Sequence, residues 1–410
     1  MVVAATSAYQ TEDLTRAAER LGVDVALGTD RCHVLAEEWW AGGALPLDFR
    51  HPARAAAQIA EAAAREPVDG LVATDERTAY IAALAAAQLG LPGNPPDAVR
   101  AAWSKLRFRR AMTAAGQPQP GFRDLPVVGD VAGAACELGY PVVVKPLHLA
   151  ASRGVMRADD DAELAARVDR LRALLADPEV IALDEEAAGR LLVETFVPGP
   201  EIAFEGLLVG GELRTLALFD KPDPLDGPFF AETIYVTPSA LPPEVAGGVV
   251  TAVADAARAI GLVEGPVHAE LRLGAGAPVV LELAARSIGG LCARTLRFGA
   301  GVSLEELVIA HAVGRPPDPV ARAGAASGVL MLPVPEAGVL RAVDGVDAAR
   351  AIVGVGDVVV TAREGDTVVP LPEGHSYLGF VFATGERPEQ VTAALRAAAD
   401  AITVRIAPRL

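Results

Sequence analysis

Cysteine is scarce in this chain: Cys32, Cys136 and Cys292 stand far apart and are odd in number. No C-x-x-C pair occurs, so a disulfide framework and a zinc ribbon are both excluded, and a reducing, cytoplasmic compartment is expected. Basic charge is short as well, with 36 Lys+Arg against 53 Asp+Glu and a net charge of −17. Such a surface repels phosphate backbones at long range and offers no cationic stripe for counterion release, which argues against a nucleic-acid partner. Small anionic ligands stay open, because a local cationic pocket can sit inside an acidic shell. Long apolar runs are missing too. The uncharged stretch from Thr78 to Pro96 is interrupted by Gln88, Pro92, Asn94, Pro95 and Pro96, leaving far less than the ~20 residues a membrane span needs. It reads as a buried helix, and no membrane partner is expected. The opening MVVAATSAYQTED reaches acids with no basic segment before them, unlike a signal peptide.

What is present suits a multidomain globular protein. The 410 residues correspond to two or three domains at roughly 150 residues each. A hydrophobic share of 51% is enough to build several cores, and it excludes disorder. In the first hundred residues, short β-branched runs alternate with Ala/Leu-rich helical stretches (Thr11–Leu21, Ala53–Ala64, Thr78–Leu89) around a strand at Val68–Ala73. That alternation predicts an α/β domain on a parallel sheet over 1–100, closed by the breaker cluster LPGNPP. A helix is expected from Asp97 to Ala115, ending at Gly116. Next come a buried strand GYPVVVKP, the small-residue loop LAASRGV, and an acidic helix after Asp159. From Leu191 to Glu232 the pattern is strand-rich, and a long helix, Pro243–Ile260, leads into VHAELRL and PVVLELAAR. Beyond GRPPDP the chain is Val/Gly-rich and ends in a helix, Pro388–Ile402. The expected units are 1–100, 101–196, 197–320 and a small α+β subdomain over 321–410.

The hairpin His268-Ala-Glu270-Leu-Arg272 to Glu282-Leu-Ala-Ala-Arg286 carries the chemistry. Folded antiparallel about the middle of Gly274–Pro278, it sets Glu270 opposite Glu282 with Cβ atoms about 5 Å apart. Like charges so placed repel unless a cation sits between them. All-oxygen ligation suits Mg2+, or Mn2+ with the same donors. Period-2 alternation puts His268 and Arg286 on the same face, with Leu271, Leu273, Leu281 and Leu283 on the other. A solvated surface hairpin accounts for the same pattern.

Phosphate needs cations on rigid supports, and Lys105 in a helix and Lys145 at the end of a valine run supply two. The loop Ala150–Gly154, with Ser152, can lay N–H groups over the same phosphates. Glu194 ends a strand that continues through Phe196 and Val197, an edge whose main chain could read adenine, and Glu201 after the PGP turn could accept from ribose hydroxyls. Read alone, each of these is also an ordinary lysine, turn or strand glutamate. Other templates fail: there is no G-x-x-x-x-G-K-[ST], G-x-G-x-x-G or G-x-S-x-G. Gly374-His-Ser-Tyr-Leu-Gly379 has the wrong spacing for a nucleophile elbow and reads as a turn into a strand. His33, His51 and His311 lack ligand spacing, and Cys292 reads as a packed residue.

In order, Ser104-Lys105-x-x-x-Arg109, YPVVVKP, ASRGV, LVETFVPGPE, HAE and LELAARSIGG resemble an ATP-grasp ligase. DKPDPLDGPFFAET and SYLGFVFATG are similar to its L-amino-acid ligase branch. The resemblance implies an ATP-grasp fold and an ADP-forming ligase that joins a small-molecule carboxylate to an amine through an acyl phosphate, with ATP and Mg2+ as cofactors. It implies that Lys105 and Lys145 hold phosphates under a flap containing Ser152, Arg153 and Gly154. Glu194, Phe196 and Val197 would take adenine, Glu201 the ribose, and Glu270 and Glu282 the metal. Arg286 would hold the transferred phosphate and the oxyanion, and His268 would orient the second substrate, accept a proton or simply pack. Many ATP-grasp enzymes carry Asn where this chain has Ala284, a departure the amino-acid ligase branch tolerates. A purine-biosynthetic or carboxylating ATP-grasp enzyme and a catalytically inactive nucleotide-binding protein stay open, as does a homodimer.

Overall fold

The computed structural model describes residues 1–6, 8–30, 44–274, 276–315 and 321–409. Cys32, His33 and most of the GRPPDP breaker lie outside them. The alternation at the start of the chain gives a parallel sheet of β1 (Val2–Val3), β2 (Leu27–Thr29), β3 (Ala44–Pro46) and β4 (Val72–Ala73), in the order β3-β2-β1-β4. The strand expected over Val68–Ala73 shortens to its last two residues. Helices Pro52–Ala63 and Glu76–Leu89 seal one core around Val3, Ile59 and Ile81. A capping box between Asp75 and Thr78 starts the second of these and puts Glu76 in its first turn.

The helix expected from Asp97 to Ala115 is two helices, Pro96–Trp103 and Lys105–Ala114. Ser104 is extended, with φ −89° and ψ 110°, and its side chain accepts from the Arg107 N–H. It closes one helix and caps the next, which makes Lys105 the first residue of a new helix.

A second sheet has the order β5-β8-β6-β7, all antiparallel, from β5 (Phe122–Pro126), β6 (Val142–Pro146), β7 (Met156–Ala158) and β8 (Arg190–Thr195). Every residue of β6 is buried, because it lies between β7 and β8. Val142 and Val144 pack into a core with Leu171 of helix Asp161–Leu175, so alternation turns Val143 and Lys145 to the opposite face.

The third sheet has eight strands: β9 (Glu201–Val209), β10 (Glu212–Asp220), β11 (Ile234–Thr237), β12 (Gly265–Arg272), β13 (Val279–Ala284), β14 (Ala326–Leu332), β16 (Val355–Val360) and β18 (Gly379–Gly385), ordered β13-β12-β9-β10-β11-β14-β18-β16. Tail strands β14, β16 and β18 thus continue the sheet that holds the glutamate hairpin. Only β15 (Gly338–Asp344), β17 (Thr367–Val368) and β19 (Thr403–Ala407) form a separate sheet in the tail. Helix Pro388–Ala401 covers the tail through Val391 and Leu395. Among the described residues no helix is long and apolar enough to cross a membrane.

Arg109 ties three of these elements together. Its guanidinium is 1% exposed; Nε and Nη2 donate to the two Glu194 oxygens at 2.8 and 3.2 Å, and Nη1 and Nη2 donate to the carbonyls of Val280 and Leu281 at 3.3 and 2.9 Å. Removing one partner of a buried ion pair typically costs ~3–5 kcal/mol, because the other charge is left uncompensated. Arg109→Met is therefore expected to lose stability of that order in urea unfolding. Arg110→Ala, one residue on with a largely exposed side chain, should change it by about 0.5 kcal/mol or less. Similar losses for both would refute this role of Arg109.

Candidate active site

Between the second and third sheets lies a cavity of about 290 Å³. Lys105, Lys145, Ser152, Glu194, Phe196, Val197, Glu201, His268, Glu270, Glu282 and Arg286 all line it, although the sequence spreads them over nearly two hundred positions. Arg153 and Gly154 do not. The Arg153 side chain donates to the Glu373 carbonyl at 2.8 Å and the Gly154 N–H to the Pro372 carbonyl at 2.8 Å. These two residues fasten the Ala150–Gly154 loop to the tail and leave Ala150, Ala151 and Ser152 facing the cavity.

At the cationic end, the break at Ser104 brings Lys105 against the loop after β6. Its main-chain N–H donates to the Leu147 carbonyl at 3.1 Å and its Nζ to the Leu149 carbonyl at 2.8 Å, 3.3 Å from Glu282. Lys145 is buried, its Nζ 2.5 Å from Glu194. Burial pulls its pKa down to about 8 against the attraction of Glu194. Glu194 departs from the adenine role: its carboxylate is 3% exposed and closed between Lys145 and Arg109, and its main chain sits inside the sheet between β5 and β6. The Phe196 N–H is likewise taken, by the Pro141 carbonyl at 3.0 Å. The Phe196 ring instead lies under the guanidiniums of Arg157 and Arg272, at 4.2 and 5.4 Å.

At the acidic end, β12 and β13 pair Glu270 with Glu282 as the hairpin geometry requires. The register then slips, and Leu271 faces Val280. Leu281 is the extra residue of this bulge, so it turns into the cavity rather than to the far face expected of it. Its carbonyl and that of Val280 are the ones Arg109 takes.

Glu201, Glu232 and Glu270 bring carboxylate oxygens within 4.8 Å of one another, a spacing open to a metal. Lys221 already lies among them, its Nζ at 2.7, 3.1 and 3.2 Å respectively. An ammonium so placed supplies the cation that one buried and two half-buried acids require. Arg272 adds a second cation to Glu201 at 2.9 Å. Burial and the neighbouring Glu270 raise the Glu232 carboxyl to about 7.

His268 is wedged between carboxylates, its Nδ1 3.1 Å from Glu205 and its Nε2 3.8 Å from Glu270. Burial would lower its pKa, but those two acids outweigh burial and hold it at about 9. Both acids favour its charged form, which disfavours the role of proton acceptor. Arg286 is fixed from the N-terminal domain: Nε donates to Glu76 at 3.0 Å, Nη2 donates to the same oxygen, and Nη1 donates to the Ser287 carbonyl at 2.8 Å. Of five guanidinium N–H groups, this leaves two for a ligand. Cys292 packs against Met331, and burial pushes its thiol pKa up, so it is no nucleophile.

Sequence reasoning missed Lys221, Glu205 and Glu76 and gave Glu232 and Arg109 no role. Alternation could have found Glu205, which pairs with His268 across β9 and β12. Nothing local points to Glu76.

Residues 138–295 match the ATP-grasp domain family, residues 15–93 the ATP-grasp N-terminal domain and residues 330–407 the L-amino acid ligase C-terminal domain 2. An uncharacterized protein of Sinorhizobium fredii is 30% identical over 325 residues, or 78% of this chain and 64% of that one. The alanine–anticapsin ligase of Bacillus subtilis is 27% identical over 266 residues, or 62% of this chain and 55% of that enzyme. The chain thus spans 64% and 55% of the lengths of these two relatives. The crystal structure of an L-amino acid ligase from Bacillus licheniformis matches with a TM-score of 0.83 at 26% identity, over 99% of this chain and 98% of that one.

Burial raises the Glu194 pKa, but Arg109 and Lys145 outweigh it and hold the carboxyl at about 2 against an ordinary 4.5. Folded Glu194 therefore binds its proton less readily than unfolded Glu194. The stability it contributes is present above pH 4.5 and is lost as pH falls toward 2, on the order of 3 kcal/mol in all. Glu194→Gln should be destabilised at neutral pH, and its stability should fall less steeply than that of the parent across this acid window. Parallel curves in urea titrations at a series of pH values would refute the ion triad.

Proposed function

The chain belongs to the ATP-grasp superfamily and carries an L-amino acid ligase C-terminal domain, and from that premise we propose that it is an ATP-dependent carboxylate–amine ligase. It joins a carboxylate to an amine, with an amino acid as one or both substrates, and releases ADP and phosphate. One observation carries this reading: two rigidly held lysines, two facing carboxylates and an anchored arginine share one cavity.

A carboxylate resists amines because its leaving group would be oxide, so its oxygen first attacks the γ-phosphorus of ATP and expels ADP. Lys105 and Lys145 neutralise charge on the triphosphate during this in-line transfer. The donor set of Glu270 and Glu282, hard carboxylate oxygens facing each other into the cavity, fits a divalent ion. They would hold Mg2+, or Mn2+, which when bound supplies Lewis-acid neutralisation of the phosphate oxygens. Val197 and the Phe196 ring flank the adenine, whereas Glu201, whose two oxygens Lys221 and Arg272 hold, acts on those cations rather than on the ribose. Glu194 acts on Lys145 rather than on the nucleotide. The loop at Ala150–Ser152 shields the acyl phosphate from water. The amine, entering neutral, attacks the acyl carbon; the two free N–H groups of Arg286 meet the oxyanion, phosphate leaves with the carbon–oxygen bond electrons, and the departing phosphate takes up the proton the amine gives up. His268, lying between Glu270 and Glu205, orients both.

The expected assay outcome is ADP and phosphate release that needs both a carboxylate and an amine, read by coupled ADP detection across amino-acid pairs. AMP and pyrophosphate as products would exclude the acyl-phosphate route. ADP release with bicarbonate or a ribosylamine instead would point to a different acceptor. Glu282→Gln should lower kcat by at least ~100-fold, the scale for losing a group that stabilises transition-state charge. Unchanged turnover would remove Glu282 from the metal site.

A further inference from the structure

Behind the helix that begins at Lys105, on the side away from the cleft, lies an open groove of about 600 Å³. That is within the usual size range of small-molecule sites, roughly 300–1,000 Å³. In a chain of net charge −17, the groove is an electrostatic exception, because Arg100, Arg107, Arg110 and Arg190 all line it. The acids facing them are Asp124, Asp184 and Glu186. Asp124 is shared by Arg110 and Arg190, at 3.1 and 2.8 Å. Asp184 is committed to capping its own short helix through the Ala187 N–H at 3.0 Å, and its other oxygen stands 3.9 Å from His148 Nε2. Arg100 and Arg107 have no ion-pair partner among the described residues.

Two further features lie beside the same space. Ser104, the cap of the ten-residue helix Lys105–Ala114, lines the groove, so the positive end of that helix lies beside it. The buried Nδ1 of His148, a residue that also lines the groove, has no hydrogen-bond partner among the described residues. Guanidinium groups gathered without matching acids repel one another, and a planar fork of N–H donors matches phosphate oxygens two at a time. We propose that this groove binds a small anion carrying two or more phosphoryl groups, held by Arg100 and Arg107 beside the Asp124-paired Arg190, at a site separate from the cleft. Glu186, exposed at the rim, opposes the ligand and sets an upper limit on its charge. The site adjoins the cleft closely: His148 lies between Leu147 and Leu149, whose carbonyls hold Lys105.

The test uses the full chain with isotope-labelled histidine and sodium tripolyphosphate as probe, without divalent ions and at low salt. His148, assigned by its loss in His148→Gln, reports the groove, and His268 reports the cleft. The His148 signal should move saturably, and the apparent Kd should rise at least ~tenfold in Arg100→Ala/Arg107→Ala, since two charge-assisted contacts are lost. Glu186→Gln should tighten binding, and added salt should weaken it. An unmoved His148 signal, or a shift of unchanged affinity in the double variant, would overturn the proposal. Because His268 is followed separately, failure of the ATP reading would show as a cleft signal indifferent to ATP and Mg2+, whatever His148 does.

Discussion

The structure rests on a constraint of charge burial: an ion withdrawn from water must meet its opposite within a few ångströms. This chain withdraws many. Glu194, Glu201 and Glu205 are all under a tenth exposed, and each is matched by a basic side chain from another element. Lys145 of β6 and Arg109 of the helix close on Glu194, Lys221 gathers three acids from β9, β12 and the loop after β10, and His268 joins β12 to β9. Each pairing is also a tie between elements distant in sequence. The cleft and the fold are therefore fixed by the same contacts.

Two local irregularities make the pairing feasible. At Ser104 the backbone leaves the helical region for one residue, which turns Lys105 toward the cleft while Arg109, one turn later, still reaches the interior. At Leu281 the hairpin gains a residue, and the carbonyls of Val280 and Leu281 become the acceptors that complete Arg109. Had the helix run on from Asp97 and the hairpin kept perfect register, Arg109 would lack half its partners. An incompletely satisfied guanidinium at 1% exposure is a state proteins avoid.

Much of this was legible in the residues, and the remainder has identifiable causes. The parallel N-terminal sheet followed from alternation, and the Glu270–Glu282 pairing followed from hairpin geometry alone, because both are set by periods that sequence expresses directly. The break at Ser104 was hidden because Asp97–Ala115 is helix-forming throughout, and one capping hydroxyl decided the matter. Leu281 was assigned to the wrong face because a bulge shifts the alternation by one without any glycine to announce it. Glu76 was invisible for another reason: its bond to Arg286 spans 210 positions, and only the docking of the N-terminal domain creates it. The tail read as a separate subdomain because its strand pattern is local, whereas the sheet they extend is formed by strands far upstream.

The same residue type takes opposite parts in the cleft, and exposure is what separates them. Glu194 is 3% exposed between two cations and has no oxygen left to offer a ligand, while the Glu282 side chain is 36% exposed with a single lysine 3.3 Å away. A carboxylate of the first kind stabilises its neighbours and is silent toward substrate. One of the second kind keeps lone pairs directed at the cavity and can exchange its lysine for a stronger cation. Glu270, opposite Glu282 and tied to Lys221, His268 and Tyr235, lies between these extremes: its position is fixed by those contacts, and its cavity face stays open. The separate motifs that name these glutamates cannot rank them. Ranking needs the cations, and here these come from helices, loops and strands that no single stretch of sequence contains.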